Sequence, residues 1–259
     1  MQRSPGTARS WLRRASSCIP DSVAPRDIGS RMPERFCVEV APRQTVAAIE
    51  YPAAAQCRVG ITLIVGPGAG AGQTSGFIVN FAKALSARGI TVVTFDFSYM
   101  ERGRRVPDPN DKLEACYRAV AEAFRDRCRP TRDKLAIGGK SMGGRIASQV
   151  AASGFSDLAG LVFLGYPLHP PGKPERSRAK HLPRVSAPML FVQGSRDAFG
   201  TPDELRPIID GLKPRAHLYV VEGGDHSFRV LKSAAIPQAD VYRAIEDRVE
   251  TWLRGLIIT

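Results

Sequence analysis

The stretch LAIGGKSMGGRIAS, residues 135–148, places Ser141 at the centre of the pentapeptide Gly-Lys-Ser-Met-Gly. The apolar run KLAIGG (134–139) predicts a buried strand, and the residues after the serine predict a helix with Ile146 and Val150 on one face. In a strand, sharp turn and helix of this kind, a G-x-S-x-G serine projects its hydroxyl above the sheet, and the two flanking glycines let strand and helix approach. The pattern therefore predicts that Ser141 is a nucleophile and not just a small residue in a glycine-rich turn.

The rest of the chain alternates between apolar runs and amphipathic segments. Two opening runs, RFCVEVA (35–41) and TVAAIEY (45–51), predict a hairpin at a sheet edge. The later runs are nearly continuous in apolar residues, which is typical of parallel strands covered on both faces. These runs are residues 61–66, 90–97, 134–139, 158–165, 188–194 and 217–223.

Between the strands, apolar residues recur at helical spacing, so each stripe predicts a helix face packed on a sheet. The stripes are Phe77, Phe81 and Leu85; Leu113, Tyr117, Val120 and Phe124; and Val241, Ile245, Val249, Trp252 and Leu256. This alternation predicts an α/β fold of three layers, with a mostly parallel twisted sheet of about eight strands and helices on both faces. The segment 165–187 is too short for a large cap domain, so we expect an open pocket.

A serine hydroxyl is a poor nucleophile unless a base removes its proton and a third group orients that base. In a sheet of this kind the acid and the histidine follow the serine, on loops after later strands. Asp197 follows the strand 188–194, and His226 follows the strand 217–223. We therefore expect Ser141, Asp197 and His226 to form a catalytic triad.

The other acids and histidines fit these roles less well. Asp203 and Glu204 suit the first turn of the next helix, after Thr201 and Pro202, and Asp225 can be an ordinary loop carboxylate. The remaining histidines are His217, which opens a strand, and His169 and His181, which lie in a proline-rich segment.

An acyl-transfer site also needs an oxyanion hole, in which fixed N–H groups meet the developing negative charge. Met142, the residue after the serine, supplies one N–H, and Ala69, after Pro67 and Gly68 in the loop GPGAGAGQTSG, is the best candidate for the other. That glycine-rich loop lacks the lysine of a phosphate-binding G-x-x-x-x-G-K-[ST] loop. Dinucleotide binding is disfavoured as well, since Asp96 is the one acidic residue at the end of the next strand.

Charge and composition bear on the partners. The net charge is +12, and residues 1–31 hold six arginines against two aspartates. The remaining excess is scattered and forms no basic block, so we expect no nucleic-acid partner. No apolar run approaches the ~18 residues that cross a bilayer, so we expect no membrane partner either.

Cysteine usage and the start of the chain suggest a location and a domain boundary. Five cysteines without a C-x-x-C pair disfavour both a disulfide framework and a zinc site, and reduced thiols favour the cytoplasm. Residues 1–31 lack the apolar core of a secretory signal; an organelle transit segment and an over-extended start, with Met32 as the alternative, both remain open. We expect residues 1–31 to be a disordered basic extension and residues 32–259 to form one domain.

Six ordered motifs carry a family resemblance. GPGAG, FDFSYMERGRRVPDP, GGKSMGGRIAS, GYPLHPPGKPE, QGSRDAFG and GGDHSF together resemble the KANL/Tex-type hydrolase-like family of α/β-hydrolases, relatives of dienelactone hydrolases. The resemblance extends from about residue 35 to the C-terminus. It implies a triad of Ser141, Asp197 and His226, with no metal and no cofactor. Dienelactone hydrolases use a cysteine nucleophile where this chain has Ser141, so their substrate does not transfer, and many such hydrolases have His-Gly where this chain has Pro67-Gly68.

The residues and the resemblance together predict a serine hydrolase that cleaves a carboxylic ester or thioester in a small acyl substrate. Gly68, Tyr99, Lys140 and His169 are expected to contact that substrate. Cationic residues on loops at the catalytic end suggest anionic substrates, with solvated loop charges as the alternative; they are Arg102, Arg104, Lys140, Lys173 and Arg196. A non-catalytic interaction protein on a hydrolase scaffold and an acyltransferase with an acceptor other than water are the alternatives, and the sequence leaves the oligomeric state open.

Overall fold

The computed structural model describes residues 12–14 and 32–258. Nine strands within these residues form one sheet. They are β1 (Leu12–Arg14), β2 (Glu34–Ala41), β3 (Gln44–Tyr51), β4 (Ile61–Gly66), β5 (Thr91–Phe95), β6 (Lys134–Lys140), β7 (Leu158–Leu164), β8 (Met189–Gly194) and β9 (Ala216–Val221). The helices are α1 (Gly76–Ala87), α2 (Ser98–Glu101), α3 (Asn110–Thr131), α4 (Met142–Ala152), α5 (Pro202–Asp210) and α6 (Gln238–Ile258).

The strand order across the sheet is β1-β2-β3-β5-β4-β6-β7-β8-β9. Strands β4 to β9 pair in parallel, whereas β1, β2 and β3 form an antiparallel edge. The mostly parallel sheet, its eight sequence-predicted strands and the edge hairpin are thus confirmed. Because the parallel strands share one direction, the loops after β4, β6, β8 and β9 all meet at the same edge of the sheet.

Strand β1 is an addition to the sequence prediction. Leu12–Arg14 pairs with residues 36–38 of β2, where the sequence predicted no element. The other residues of 1–31, Cys18 among them, lie outside the described residues. The disordered extension and the boundary at residue 32 therefore remain predictions.

Helices cover both faces of the sheet, which confirms the three layers. The stripe of α3 (Leu113, Tyr117, Val120 and Phe124) joins α4 and α5 in one core. The stripes of α1 and α6 form the other core with β4, β7 and β8. Strands β4, β5 and β8 are buried along their whole length, as their continuous apolar sequences require.

The connections differ from the sequence prediction in small ways. Strand β5 ends at Phe95, because the chain turns at Phe97 into the short helix α2, which the sequence did not predict. Between β7 and β8 the one helical element is a single 3₁₀ turn, Leu182–Arg184, so the absence of a large cap is confirmed. Of the described cysteines, Cys116 and Cys128 are buried, and all are free thiols. No described helix is long and apolar enough to span a membrane.

Tyr117 joins α3 to the centre of the sheet. Its phenol accepts a hydrogen bond from Gly138 N (3.0 Å) and lies 2.6 Å from Gly138 O and 3.0 Å from Ile64 O, which can accept its proton. The ring is completely buried, and burial raises the pKa of the phenol. The hydroxyl therefore hydrogen-bonds to backbone groups of β4 and of β6. Its partner on β6, Gly138, lies three residues before Ser141.

The Tyr117→Phe variant should lose about 1–3 kcal/mol of the free energy of unfolding, because it leaves Gly138 N–H buried without its acceptor. Urea unfolding curves of wild type and variant measure this difference. Tyr219→Phe is the matched control, since Tyr219 is only partly buried on β9. Equal stability of the Tyr117→Phe variant and wild type would contradict this role of the phenol.

Candidate active site

Ser141 lies in the tight turn between β6 and α4. Its backbone has φ 50° and ψ −115°, a conformation that costs a non-glycine residue about 1–3 kcal/mol and persists only where the surroundings impose it. The surroundings here are the backbone of β4: a Cβ on Gly139 or on Gly143 would collide with Gly66 O. Glycines at both positions let β6 and α4 close on β4, which is the physical reason for the G-x-S-x-G spacing.

The three predicted triad residues lie within hydrogen-bonding distance of one another. Ser141 Oγ is 2.8 Å from His226 Nε2, and His226 Nδ1 is 2.7 Å from Asp197 Oδ2. Asp197 lies in the loop after β8 and His226 in the loop after β9, as the sequence predicted. The structure therefore brings together a hydroxyl, an imidazole and a carboxylate from three separate strand ends.

The Asp197 carboxylate is completely buried and well supplied with donors. Besides His226, Gln193 Nε2 donates to Oδ2 (2.8 Å) and Phe199 N donates to Oδ1 (2.8 Å). Gln193 is itself completely buried, at the end of β8, and its Oε1 accepts from Tyr166 N (2.8 Å). These donors stabilise a buried negative charge that would otherwise be costly.

Sequence reasoning missed Gln193, although a signal was present. It is a polar residue near the end of the apolar strand MLFVQG, where a buried amide needs partners on both its oxygen and its nitrogen.

The imidazole of His226 packs on a second ring. Phe199 lies with its ring centroid 4.3 Å from that of His226, at an interplanar angle of 33°. His169 N donates to Phe199 O (3.0 Å), and His169 Nε2 lies 3.1 Å from Glu204 Oε1. His169 is buried, so in this structure it braces the acid loop, and its predicted contact with substrate stays a prediction.

The loop after β4 runs close to the serine. The point where a Gly68 side chain would begin is 3.8 Å from Ser141 Cβ. Other N–H groups of the loop are engaged: Gly70 N donates to Tyr99 Oη (3.2 Å), and Ala71 N donates to Gly68 O (3.2 Å). Ala69 N–H has no acceptor among the described residues.

Met142 is the first residue of α4, and the first N–H groups of a helix have no intrahelical acceptor. Neither of the two predicted oxyanion donors thus has a hydrogen-bond acceptor among the described residues. Tyr99, by contrast, is completely buried beneath the loop, where burial raises the pKa of its phenol. Its predicted contact with substrate stays a prediction, and its observed contact is with the loop.

A polar network, which the sequence analysis did not predict, fixes the loop after β4. Asp96, the residue after β5, accepts from Gln73 N (2.8 Å) and from Gln73 Nε2 (3.2 Å). The buried Gln73 also donates to Ala47 O (3.0 Å) and accepts from Thr94 Oγ1 (3.1 Å). Asp96, considered in sequence only as a ribose ligand, therefore anchors the loop that carries Ala69.

The cations at the catalytic end are mostly engaged. Arg102 and Arg104 both pair with the buried carboxylate of Asp108, and Arg196 donates to Gly223 O (3.2 Å). Lys140 lies beside the triad, with its Nζ hydrogen-bonded to His226 O. Of the cations that suggested anionic substrates, Lys140 is therefore the one in direct contact with a triad residue.

The other described histidines lie apart from the triad. His181 Nε2 is 2.7 Å from Ser148 Oγ on α4, and His217 is exposed on β9. Burial, and then the nearby cations Arg145 and Arg184, lower the pKa of His181 to about 4. Within residues 12–14 and 32–258, no group of three or more His, Cys, Asp or Glu side chains is arranged to hold a metal ion.

Residues 59–254 match the protein family described as "Alpha/beta hydrolase domain". Among solved structures, an α/β serine hydrolase without a lid from Xanthomonas campestris is similar at 23% identity and a TM-score of 0.65, covering 90% of this chain and 98% of that one. A dienelactone hydrolase from Anabaena variabilis is similar at 18% identity and a TM-score of 0.65, covering 87% and 99%. An α/β serine hydrolase homologue from Coxiella burnetii is similar at 18% identity and a TM-score of 0.63, covering 86% and 96%. The TM-scores of 0.63 and 0.65 show that these proteins share a fold with this chain.

His181 should make the protein less stable in acid. Between pH 6.5 and about 4 the unfolded chain binds a proton that the folded protein does not, so the free energy of unfolding falls as pH decreases through this window. In the His181→Gln variant this fall should be smaller, as measured by urea unfolding at pH 7, 6, 5 and 4.5. His217→Gln, an exposed site, should keep the wild-type pH dependence; identical curves for wild type and His181→Gln would contradict the assignment.

Proposed function

We propose that this chain, which belongs to the alpha/beta hydrolase family, is a serine hydrolase that cleaves a carboxylic ester or thioester through an acyl-enzyme intermediate. The observation that carries the proposal is the continuous hydrogen-bonded line from Ser141 Oγ through His226 to Asp197 (2.8 and 2.7 Å). A nucleophile, a base within reach of its proton and a buried group that orients the base are the parts that acyl transfer requires.

In the first half of the proposed reaction, Ser141 Oγ attacks the carbonyl carbon while His226 Nε2 takes the hydroxyl proton. Asp197 accepts the hydrogen bond from Nδ1–H, which fixes the tautomer that leaves Nε2 free as a base. The imidazolium then donates its proton to the leaving oxygen or sulfur as the carbon–heteroatom bond breaks. The products of this half are an alcohol or thiol and an acyl group on Ser141.

The negative charge on the carbonyl oxygen is stabilised by the N–H groups of Met142 and Ala69. Fixed donors of this kind favour the tetrahedral intermediate over the flat carbonyl, which lowers the barrier. In the second half, His226 takes a proton from water, the resulting hydroxide equivalent attacks the acyl carbon, and Ser141 recovers its proton as the acid leaves. No net change in the protein results.

The proposed substrate is a small acyl compound, and the proposal includes no metal, no cofactor and no nucleic-acid partner, with a location in the cytoplasm. Gly68, beside Ser141, is the residue best placed to border the reacting carbonyl. The described segment between β7 and β8 holds a single 3₁₀ turn and forms no cap over the site.

Two alternatives lead to different observations. An interaction protein on a hydrolase scaffold calls for a blocked or misaligned triad, and distances of 2.7 and 2.8 Å between its members argue against that. An acyltransferase shares the first half-reaction and differs in the acceptor, so product analysis with and without added alcohols separates it from a hydrolase.

The first test is the intact mass of the protein after incubation with a fluorophosphonate. We expect one adduct, formed as Ser141 Oγ displaces fluoride, and its loss in the Ser141→Ala and His226→Ala variants. With 4-nitrophenyl acetate, either variant should lower kcat by about 10⁴-fold or more, because removing a triad member leaves only binding and the oxyanion donors. Ser148→Ala, a buried serine on α4, is the control. Wild-type turnover in Ser141→Ala would defeat the proposal.

A further inference from the structure

Two consecutive residues of the turn contact the same histidine. Ser141 Oγ is within hydrogen-bonding distance of the His226 imidazole, and Lys140 Nζ donates to the main-chain oxygen of His226. Lys140 is the last residue of β6, so its side chain starts from a rigid, buried strand. Two adjacent residues therefore contact His226: Ser141 contacts its imidazole, and Lys140 contacts its main chain.

The Lys140 ammonium lies in a confined space between the Phe228 ring and Gly165. Its Nζ lies 5.2 Å from the centroid of the Phe228 ring, a cation–π distance. Gly165, with φ 70°, passes on the other side: a Cβ there would lie 2.9 Å from Nζ and 3.1 Å from His226 O. The absence of a side chain at Gly165 leaves the hydrogen bond between Lys140 and His226 undisturbed.

The ammonium makes no ion pair of 4.0 Å or less within the described part of the chain. Burial lowers the pKa of Lys140 to about 8, and the carboxylates of Asp197 and Asp225 oppose this shift. Arg229 and Glu246 line the same cleft as Lys140, from the histidine loop and from α6. Lys140 is thus mostly charged at pH 7, with a main-chain carbonyl as its direct partner.

We propose that Lys140 is a positioning residue, whose charged hydrogen bond to the main chain of His226 keeps the imidazole within reach of Ser141 Oγ. The inference rests on the proposed function of Ser141 and His226. The sequence-based expectation that Lys140 contacts substrate stays a prediction; the observed hydrogen bond of Nζ is with the histidine loop. The bond is charge-assisted, and such bonds are roughly twice as strong as neutral ones.

Lys140→Met removes the bond, and Lys140→Gln removes the charge. We expect kcat for 4-nitrophenyl acetate to fall about tenfold or more in Lys140→Met, with KM within about twofold of wild type, since the histidine acts in the chemical steps. In wild type, kcat should decline above pH about 8 as the ammonium loses its proton, and this decline should be missing in both variants. A tenfold rise in KM at unchanged kcat would instead identify a substrate contact and overturn the proposal.

Lys134→Met is the matched control, because Lys134 begins the same strand and its Nζ also donates to a main-chain oxygen, Leu256 O (3.3 Å). It removes the same charge at the far end of β6 and should keep the wild-type kcat and pH profile. A decline above pH 8 that persists in Lys140→Met and Lys140→Gln would assign the titration to another group and refute the inference.

Hydrogen exchange tests the positioning without relying on turnover. The amides of residues 224–230 should exchange at least several-fold faster in Lys140→Met than in wild type or Lys134→Met. If wild type neither hydrolyses esters nor reacts with a fluorophosphonate, the proposed function fails, while faster exchange still supports the tie between Lys140 and the histidine loop. Unchanged exchange refutes the tie, and Lys140→Gln serves as the second variant if Lys140→Met does not fold.

Discussion

The close approach of three backbones at Gly66, Gly139 and Gly143 is the constraint on which the rest of the site depends. Side chains at Gly139 or Gly143 would collide with Gly66 O, so α4 could no longer start directly above β4 and β6. Ser141 is held in its strained conformation by this contact, and Met142 begins α4 directly after it. The phenol of Tyr117, from α3 on the same face of the sheet as α4, supports the same region by hydrogen-bonding to Gly138. The conformation of Ser141 and the packing of the core around it are therefore set by the same backbone contacts.

A second constraint is the buried charge of Asp197. Taking a carboxylate out of water is costly unless donors replace the solvent, and here the donors come from three places in the chain. Gln193 belongs to β8, Phe199 N belongs to the loop itself, and His226 arrives from the loop after β9. Because Gln193 also bonds Tyr166 N and Gly200 O (2.7 Å), the acid is connected to the chain segment that follows β7. The position of the Asp197 carboxylate therefore depends on these hydrogen-bonding partners as much as on its own place in the sequence.

The parts of the structure that could be predicted are those whose signal lies within a short stretch of sequence. Apolar periodicity is local, so the eight strands and the main helices could be read from the chain, and strand order brought Ser141, Asp197 and His226 to one edge. The partners of buried polar groups are distant in sequence, so no local pattern predicts them. Gln73 hydrogen-bonds to Asp96 and to Ala47, and Gln193, the one polar side chain of an apolar strand, hydrogen-bonds to Asp197. The observed partners of Tyr99 and His169 are nonlocal in the same way: Tyr99 Oη accepts from Gly70 N, and His169 N donates to Phe199 O. Their contacts with substrate stay predictions.

The segment between β7 and β8 lies at the position in the chain where a cap could be inserted. Its main-chain hydrogen bonds are made to β8, to the loop after β8 and within the segment itself. Tyr166 N donates to Gln193 Oε1, His169 N donates to Phe199 O, and Arg178 N donates to Leu168 O (2.7 Å). The first bond ends on Gln193 of β8, which itself donates to Asp197, and the second ends on Phe199 in the loop that carries Asp197, so the segment braces Asp197. On the opposite side, Asp96 and Gln73 brace the loop that carries Ala69. The loops that carry Asp197 and Ala69 are thus both held by hydrogen bonds from neighbouring segments, as a preorganised site requires.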